Sequence, residues 1–98
     1  MELKREDKLR KITHYFGFRN QLKKLCEEAI EVMEAGIDID YNSPFIDIMY
    51  EIADLTILLE QIRLYAGITK EELDKAIEKK IDRTLERIES GYYKGEIK

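Results

Sequence analysis

Two pairs of carboxylates, each spaced three residues apart, are the residues of this sequence best suited to chemistry. Glu51 and Asp54 stand in the apolar stretch "EIADLTILL", and Glu28 and Glu31 stand in "EEAIEVMEAG". Residues three apart project from the same side of a helix. Burying an ionised carboxylate without a partner costs several kcal/mol, and two carboxylates together repel each other. The sequence therefore predicts either a cation beside Glu51 and Asp54, with a divalent metal as the strongest candidate, or a carboxylate pair that is largely neutral.

The two carboxylate pairs suit a single metal site. Antiparallel helices that each present one pair would bring four carboxylates to one point. Ligation by oxygen alone favours Mg²⁺, with Mn²⁺ as a substitute, because these hard ions bind carboxylates and keep waters for a substrate's phosphates. By themselves, Glu27, Glu28 and Glu31 would fit a solvated helix face. The apolar setting of Glu51 and Asp54 is what favours metal ligation.

A second set of polar residues could meet a phosphate chain. Lys80 falls within an apolar stripe, and Arg83 and Arg87 lie beside it on the helical wheel. A cation near a core needs an anion, which would be either the metal-site carboxylates or a phosphate chain bound over the metal. Alternatively, Lys80 extends past the edge of the core and the arginines pair with nearby glutamates. Gln21, beside the apolar face of its segment, is a candidate for contact with a base or a sugar.

Composition and periodicity favour an all-α fold that positions these side chains. The chain has 98 residues, of which 44% are apolar and 39% charged, and it has a single proline. This combination is typical of one domain built from amphipathic helices. Apolar residues recur at helical spacing in three segments, at about 3–15, 18–35 and 70–90, and a fourth segment, at about 44–66, is a predicted helix with apolar residues nearly all the way round. We predict a single domain over residues 1–98 with a protomer like a four-helix bundle.

Glycines and capping residues predict where these helices begin and end. We expect the first three helices to end at Gly17, Gly36 and Gly67. Ser43 and Pro44 are typical of an N-cap and a first helical residue, and so predict the start of the third helix. Thr69 and Glu72 have the spacing of a capping box, which predicts the start of the fourth.

The third predicted helix is apolar around almost its whole circumference. Such a helix is typical of the centre of a bundle, surrounded by other helices. The three remaining helices, of which the first is short and highly charged, cannot easily cover it. We therefore expect a second copy of the chain to do so, in a homodimer or a homotetramer, with the tetramer favoured.

Charge and cysteine content narrow the partners and the compartment. A net charge of −4 argues against a nucleic acid as the main partner. Charged residues interrupt the apolar third helix, so no membrane span is expected. The single cysteine, Cys26, excludes an internal disulfide and a cysteine-based zinc site, and the first residues lack the apolar segment of a signal peptide. These features predict a cytoplasmic protein.

The ordered motifs E-E-x-x-E and E-x-x-D resemble those of the all-α nucleoside triphosphate pyrophosphohydrolases, the MazG-like superfamily that also contains dimeric dUTPases. Glu27, Glu28 and Glu31 match the first motif, and Glu51 and Asp54 match the second, with nineteen residues between the two motifs. The segments "NQLKKLCEEAIEVMEAG", "EIADLTILLEQ" and "KIDRTLERIESG" are similar to the small members, so the resemblance covers roughly residues 12–91.

The resemblance implies helical dimers or tetramers that hydrolyse a nucleoside triphosphate between its α and β phosphates, releasing a monophosphate and pyrophosphate. Deoxynucleotides and a role in nucleotide-pool housekeeping are the expected case. The implied Mg²⁺ ligands are Glu28, Glu31, Glu51 and Asp54. Glu27 would orient or deprotonate the attacking water, and Lys80 and Arg83 match the basic helix that meets the phosphates. Asp82 departs from the family, in which many members carry Asn. The alternative is a non-catalytic helical module for dimerisation or regulation on the same scaffold.

Overall fold

A computed structural model describes residues 3–39 and 45–92 of the chain, and their side chains apart from those of residues 37–39 and 45–47. Its four helices are α1 (Arg5–Phe16), α2 (Phe18–Ile39), α3 (Phe45–Ala66) and α4 (Lys70–Glu89). No strand occurs within these described ranges, so the all-α prediction is confirmed. The chain divides into two compact units, Met1–Gly67 and Ile68–Lys98, which we describe separately.

Two of the three predicted glycine boundaries are confirmed. Gly17 separates α1 from α2 and Gly67 follows α3, with φ angles of +86° and +75° that favour glycine over other residues. The prediction that Gly36 ends the second helix is wrong, because α2 continues to Ile39 and Gly36 does not adopt a positive φ. A glycine inside a helix costs only about 1 kcal/mol relative to alanine, so it permits a helix end without imposing one. The predicted start at Ser43 and Pro44 lies outside the described residues.

The unit Ile68–Lys98 contains α4, and its first turn has the predicted capping box. The Glu72 backbone N–H donates to Thr69 Oγ1 at 3.1 Å, and the Thr69 backbone N–H donates to Glu72 Oε1 at 2.9 Å. These bonds, above all the one from the Thr69 backbone, hold the pKa of the Glu72 carboxyl below its usual range. A stripe of exposed apolar side chains runs along the helix, formed by Leu73, Ile77, Ile81, Leu85 and Ile88.

In the unit Met1–Gly67, α3 packs against both α1 and α2. Gln21 of α2 bonds to Gln61 of α3, and Glu28 lies beside Asp54. Residue numbers therefore rise along α2 as they fall along α3, which makes the two helices antiparallel.

The interior of this unit is more polar than that of an ordinary small domain. Its buried polar residues, which we call the polar seam, are Thr13, Gln21, Glu28, Gln61 and Arg63. The buried apolar side chains among the described residues are Leu9, Ile48 and Leu58, whereas Ile52 and Leu59 of α3 are each 51% exposed. Within this unit, therefore, only one side of the apolar circumference of α3 is buried.

Gln61 fastens the bend between α1 and α2. Its carboxamide nitrogen donates to Thr13 Oγ1 and to Gln21 Oε1, both at 2.9 Å. Thr13 comes four residues before Gly17 and Gln21 four residues after it, so one side chain of α3 joins both arms of the bend. The ring of Phe18 stacks on that of Tyr65, with 3.8 Å between ring centroids, and adds an apolar contact at the same place.

Arg63 joins the start of α1 to α3. Its guanidinium donates to Glu6 Oε2 at 2.8 Å and to Glu60 Oε2 at 2.6 Å, although the arginine itself is only 6% exposed. Two carboxylates thus compensate one buried cation.

None of the described helices is long and apolar enough to cross a membrane.

Candidate metal centre and the adjoining cleft

Three of the predicted metal ligands lie together where α2 faces α3. Glu28, Glu51 and Asp54 each offer a carboxylate oxygen, and these three oxygens lie within 4.8 Å of one another. Opposite ligands of an octahedral Mg²⁺ are about 4.2 Å apart, twice the usual bond length. The spacing is therefore close to what such an ion needs. We call these three residues the acidic group.

The antiparallel pairing of α2 and α3 explains how the acidic group forms. Glu51 and Asp54 project from one side of α3 because they are three residues apart. Leu58 and Gln61 continue that side of the helix, and both are buried against the other helices. Glu28 faces them from α2, seven residues beyond Gln21, whose bond to Gln61 sets the register.

Two oxygens of the acidic group are buried and have no partner in residues 3–39 and 45–92. Glu28 is only 5% exposed, and its Oε2 accepts no hydrogen bond in the described part of the chain. Glu51 Oε2 is buried and unpaired in the same way. A buried charged acceptor without a donor is strongly unfavourable. The donor set therefore fits a hard divalent cation, which would neutralise both oxygens.

Lys24 supplies part of the missing positive charge. Its ammonium lies 3.3 Å from Glu28 Oε1 and 3.6 Å from Glu27 Oε2. The interaction with Glu28, followed by that with Glu27, raises the pKa of Lys24 above its usual range. One monovalent cation at the edge leaves the acidic group with excess negative charge.

The other two predicted acidic residues are placed differently. Glu31 is exposed and is not one of the three carboxylates that lie together, so its role as a fourth ligand stays a prediction. Glu27 is also exposed, with 66% of its side chain accessible, and it pairs with Lys24. Its predicted role in orienting or deprotonating water likewise stays a prediction.

A cleft of about 560 Å³ opens beside the acidic group. Lys24, Glu28 and Asp54 line its charged part, and Gln21 and Gln61 line a neutral polar part. The remaining lining residues are mostly apolar and comprise Ile12, Phe16, Asn20, Ile57 and Leu58. The predicted substrate-contacting residue Gln21 thus lies in the same cleft as two carboxylates of the acidic group.

The predicted phosphate-binding cations lie on α4. Lys80 and Arg83 are exposed, and Lys80 borders a shallow apolar depression with Ile77 and Ile81. Arg87 lies over the ring of Tyr92, 4.6 Å from the ring centroid, in a cation–π contact. Their contact with a substrate stays a prediction.

Sequence reasoning missed two residues of the cleft, Gln61 and Lys24. Gln61 interrupts the apolar run of α3 in the same way as Glu51 and Asp54 do, and it lies seven residues after Asp54 on the same side. That signal was sufficient to identify it. Lys24 had a weaker signal, the i to i+4 spacing to Glu28 that brings opposite charges together on a helix.

Comparison of the chain with family models, with curated proteins and with solved structures found no match.

Proposed function

We propose that the protein is a Mg²⁺-dependent nucleoside triphosphate pyrophosphohydrolase of the MazG-like kind, acting in the cytoplasm on the deoxynucleotide pool. The observation that carries this proposal is the acidic group. Two helices bring one carboxylate oxygen from each of three residues within 4.8 Å of one another, and two oxygens of these carboxylates are buried without a partner among the described residues. This arrangement costs folding energy unless a cation is bound, which favours a functional site over a solvated helix face.

The proposed Mg²⁺ ligands are Glu28, Glu51 and Asp54, with Glu31 as a fourth that would have to turn inward from the rim. Mn²⁺ is the expected substitute because it favours the same oxygen ligands. A bound divalent ion would stabilise the negative charge that develops on the phosphate oxygens and would lower the pKa of a bound water.

The side chains of the chain itself have distinct roles in this proposal. Glu27, exposed at the edge of the site, orients or deprotonates the attacking water. Lys24 lies close enough to the acidic group to turn from Glu28 to a substrate phosphate, which would release Glu28 for the metal. The cations of α4 that contact the phosphate chain are Lys80, Arg83 and Arg87. Their charge offsets that of the triphosphate, and Gln21 contacts the base or the sugar.

We further propose that the active form is a homodimer or a homotetramer built as a bundle of helices. Exposed apolar side chains on α3 and on α4 support it, because Ile52, Leu59, Leu85 and Ile88 are each more than half exposed in the single chain. Apolar surface of this extent marks a site of association.

A panel of ribo- and deoxynucleoside triphosphates with Mg²⁺ or Mn²⁺ tests the reaction. Pyrophosphate and phosphate are scored separately, and each reaction is repeated with chelator. We expect pyrophosphate and the nucleoside monophosphate in equal amounts, dependent on metal. Glu51→Gln and Asp54→Asn should abolish release while keeping the helical circular dichroism signal. Release of phosphate alone would contradict cleavage between the α and β phosphates.

The second candidate is a non-catalytic helical module for dimerisation or regulation. The exposed apolar side chains of α3 and α4 favour it as much as they favour an oligomeric enzyme. It predicts self-association without pyrophosphate release from any nucleotide of the panel. The same panel therefore distinguishes the two candidates.

A further inference from the structure

The carboxamides of Gln21 and Gln61 line the cleft beside the acidic group, and the proposed metal chemistry does not use them. Gln61 is 1% exposed and donates its two amide protons to Thr13 and Gln21. Its carbonyl oxygen is buried and accepts no hydrogen bond from any residue that the structure describes. A buried acceptor without a donor is unfavourable, so a role for this oxygen is expected.

The direction of the hydrogen bonds determines which end of Gln61 is free. The Thr13 hydroxyl donates to the Leu9 carbonyl at 3.0 Å, and its oxygen accepts from the Gln61 amide nitrogen at 2.9 Å. Gln21 accepts from the same nitrogen through its own carboxamide oxygen. Gln61 therefore offers an acceptor and Gln21 a donor, side by side on neighbouring helices.

We propose that Gln61 and Gln21 recognise the nucleobase of the substrate, which makes Gln61 a specificity-determining residue. Gln61 Oε1 accepts a hydrogen bond from an N–H group of the base, and Gln21 Nε2 donates to the acceptor beside that group on the same edge. The inference rests on the proposed function. It specifies the substrate class as a nucleotide with an intact hydrogen-bonding base edge, rather than a polyphosphate or a sugar phosphate without a base.

The lining of the cleft agrees with this orientation of the substrate. Lys24, Glu28 and Asp54 lie at its charged part, where phosphates and metal would be placed. Phe16 and Ile57 offer apolar surface for the faces of a base. The two carboxamides would then meet its edge. A site that hydrogen-bonds a substrate N–H discriminates strongly against an analogue without it, because the buried acceptor is left unpaired.

A purely structural role for Gln61 makes a different prediction. If Gln61 only fastens the Gly17 bend, its loss lowers stability and activity towards every nucleotide equally. If Gln61 recognises the base, its loss changes the ratio of kcat/KM between nucleotides that have the N–H group and those in which it is methylated. The ratio therefore separates the two roles.

The test measures kcat/KM for the best nucleotide of the substrate panel and for its analogue methylated at the edge nitrogen. We expect wild type to prefer the natural base by about tenfold or more, and Gln61→Met to reduce this preference to about twofold or less. Thr13→Val is the matched control. It removes a partner of Gln61 and weakens the bend without touching the free oxygen, so it should keep the wild-type ratio. An unchanged ratio in Gln61→Met would overturn the inference.

Failure of this inference is distinguishable from failure of the proposed function. Wild type that hydrolyses the natural and the methylated nucleotide equally well keeps the pyrophosphohydrolase and excludes base recognition by Gln61. Equal use of inorganic tripolyphosphate would exclude it as well. If wild type neither binds nor hydrolyses any nucleotide with Mg²⁺, both proposals are wrong. The comparison in wild type needs no variant, so misfolding of Gln61→Met would not leave the question open.

Discussion

At the scale of single residues, the unpaired carboxylate oxygens of Glu28 and Glu51 determine how the protein should respond to metal. We predict that Glu51→Gln raises the melting temperature of the metal-free protein by several degrees, corresponding to about 1 kcal/mol. The substitution removes one of the three crowded negative charges of the acidic group and supplies an N–H group near the other two. In the same variant, Mg²⁺ should raise the melting temperature less than in wild type, because a ligand is lost. Differential scanning calorimetry with and without Mg²⁺ measures both effects.

Glu31→Gln is the matched comparison for this prediction. Glu31 has the same charge and lies on the same helix as Glu28, but it is exposed and apart from the acidic group. Its substitution should change metal-free stability little and should weaken Mg²⁺ binding less than Glu28→Gln does. Wild-type Mg²⁺ affinity in Glu28→Gln would remove that residue from the site.

The carboxyl group of Glu72 is a second residue with a specific pH dependence. Its pKa is lowered in the folded state by the capping box, so its stabilising effect is present above the usual glutamate pKa of about 4.3. The effect is lost as the pH falls through the lower folded value. We predict that α4 loses helicity in this range and that Thr69→Ala moves the pKa of Glu72 back towards its usual value.

Titration of Glu72 by NMR, together with circular dichroism at each pH, measures this prediction. Thr69→Ala should also cost about 1 kcal/mol at neutral pH, the usual effect of losing an N-cap. Glu71→Gln is the control, because the carboxylate of Glu71 is next to Glu72 in the sequence but is not part of the capping box. A titration of Glu72 that is identical in wild type and in Thr69→Ala would contradict the prediction.

At the scale of helices, two glycines should respond in opposite directions to substitution by alanine. Gly17 has a φ of +86°, and an added Cβ would meet only Asn20 at an ordinary 3.9 Å. The cost of an alanine at this position is therefore conformational, and we expect Gly17→Ala to destabilise the protein by about 1–3 kcal/mol. Gly36 lies inside α2 with no atom within 4 Å of a Cβ, so Gly36→Ala should stabilise by about 0.5–1 kcal/mol. Urea denaturation of both variants is the measurement, and destabilisation by Gly36→Ala would place the end of α2 at that glycine.

The helices themselves could be predicted from the sequence because their signals are local. Apolar periodicity indicated α1, α2 and α4, and a long apolar run indicated α3. The capping box at Thr69 and the glycine at position 67 depend only on neighbouring residues. The predicted helix end at Gly36 was wrong because a glycine does not by itself end a helix. The acidic group was also predictable in part, since Glu51 and Asp54 stand among apolar residues. The network of Gln61, Thr13 and Gln21 was not, because it depends on which helices pack together.

At the scale of the whole molecule, the apolar side chains that remain exposed on α3 predict association. We expect light scattering at low micromolar concentration to show a species at least twice the 11.6 kDa of the single chain. Ile52→Lys should shift it towards the monomer and reduce its helicity, because a charge replaces half-exposed apolar surface. Lys23→Ala, at an exposed charged position of α2, should leave the assembly unchanged. A stable and fully helical monomer of wild type would contradict the prediction.

The polar seam inside the unit Met1–Gly67 and the apolar residues on its outside also have a calorimetric consequence. Unfolding raises the heat capacity in proportion to the apolar surface that becomes hydrated, and polar surface lowers it. Most of the increase in heat capacity should therefore accompany dissociation of the associated copies rather than melting of the individual chain. Association driven by apolar surface weakens on cooling. The protein should accordingly be sensitive to cold, with sedimentation near 4 °C showing smaller species than at 25 °C at the same concentration.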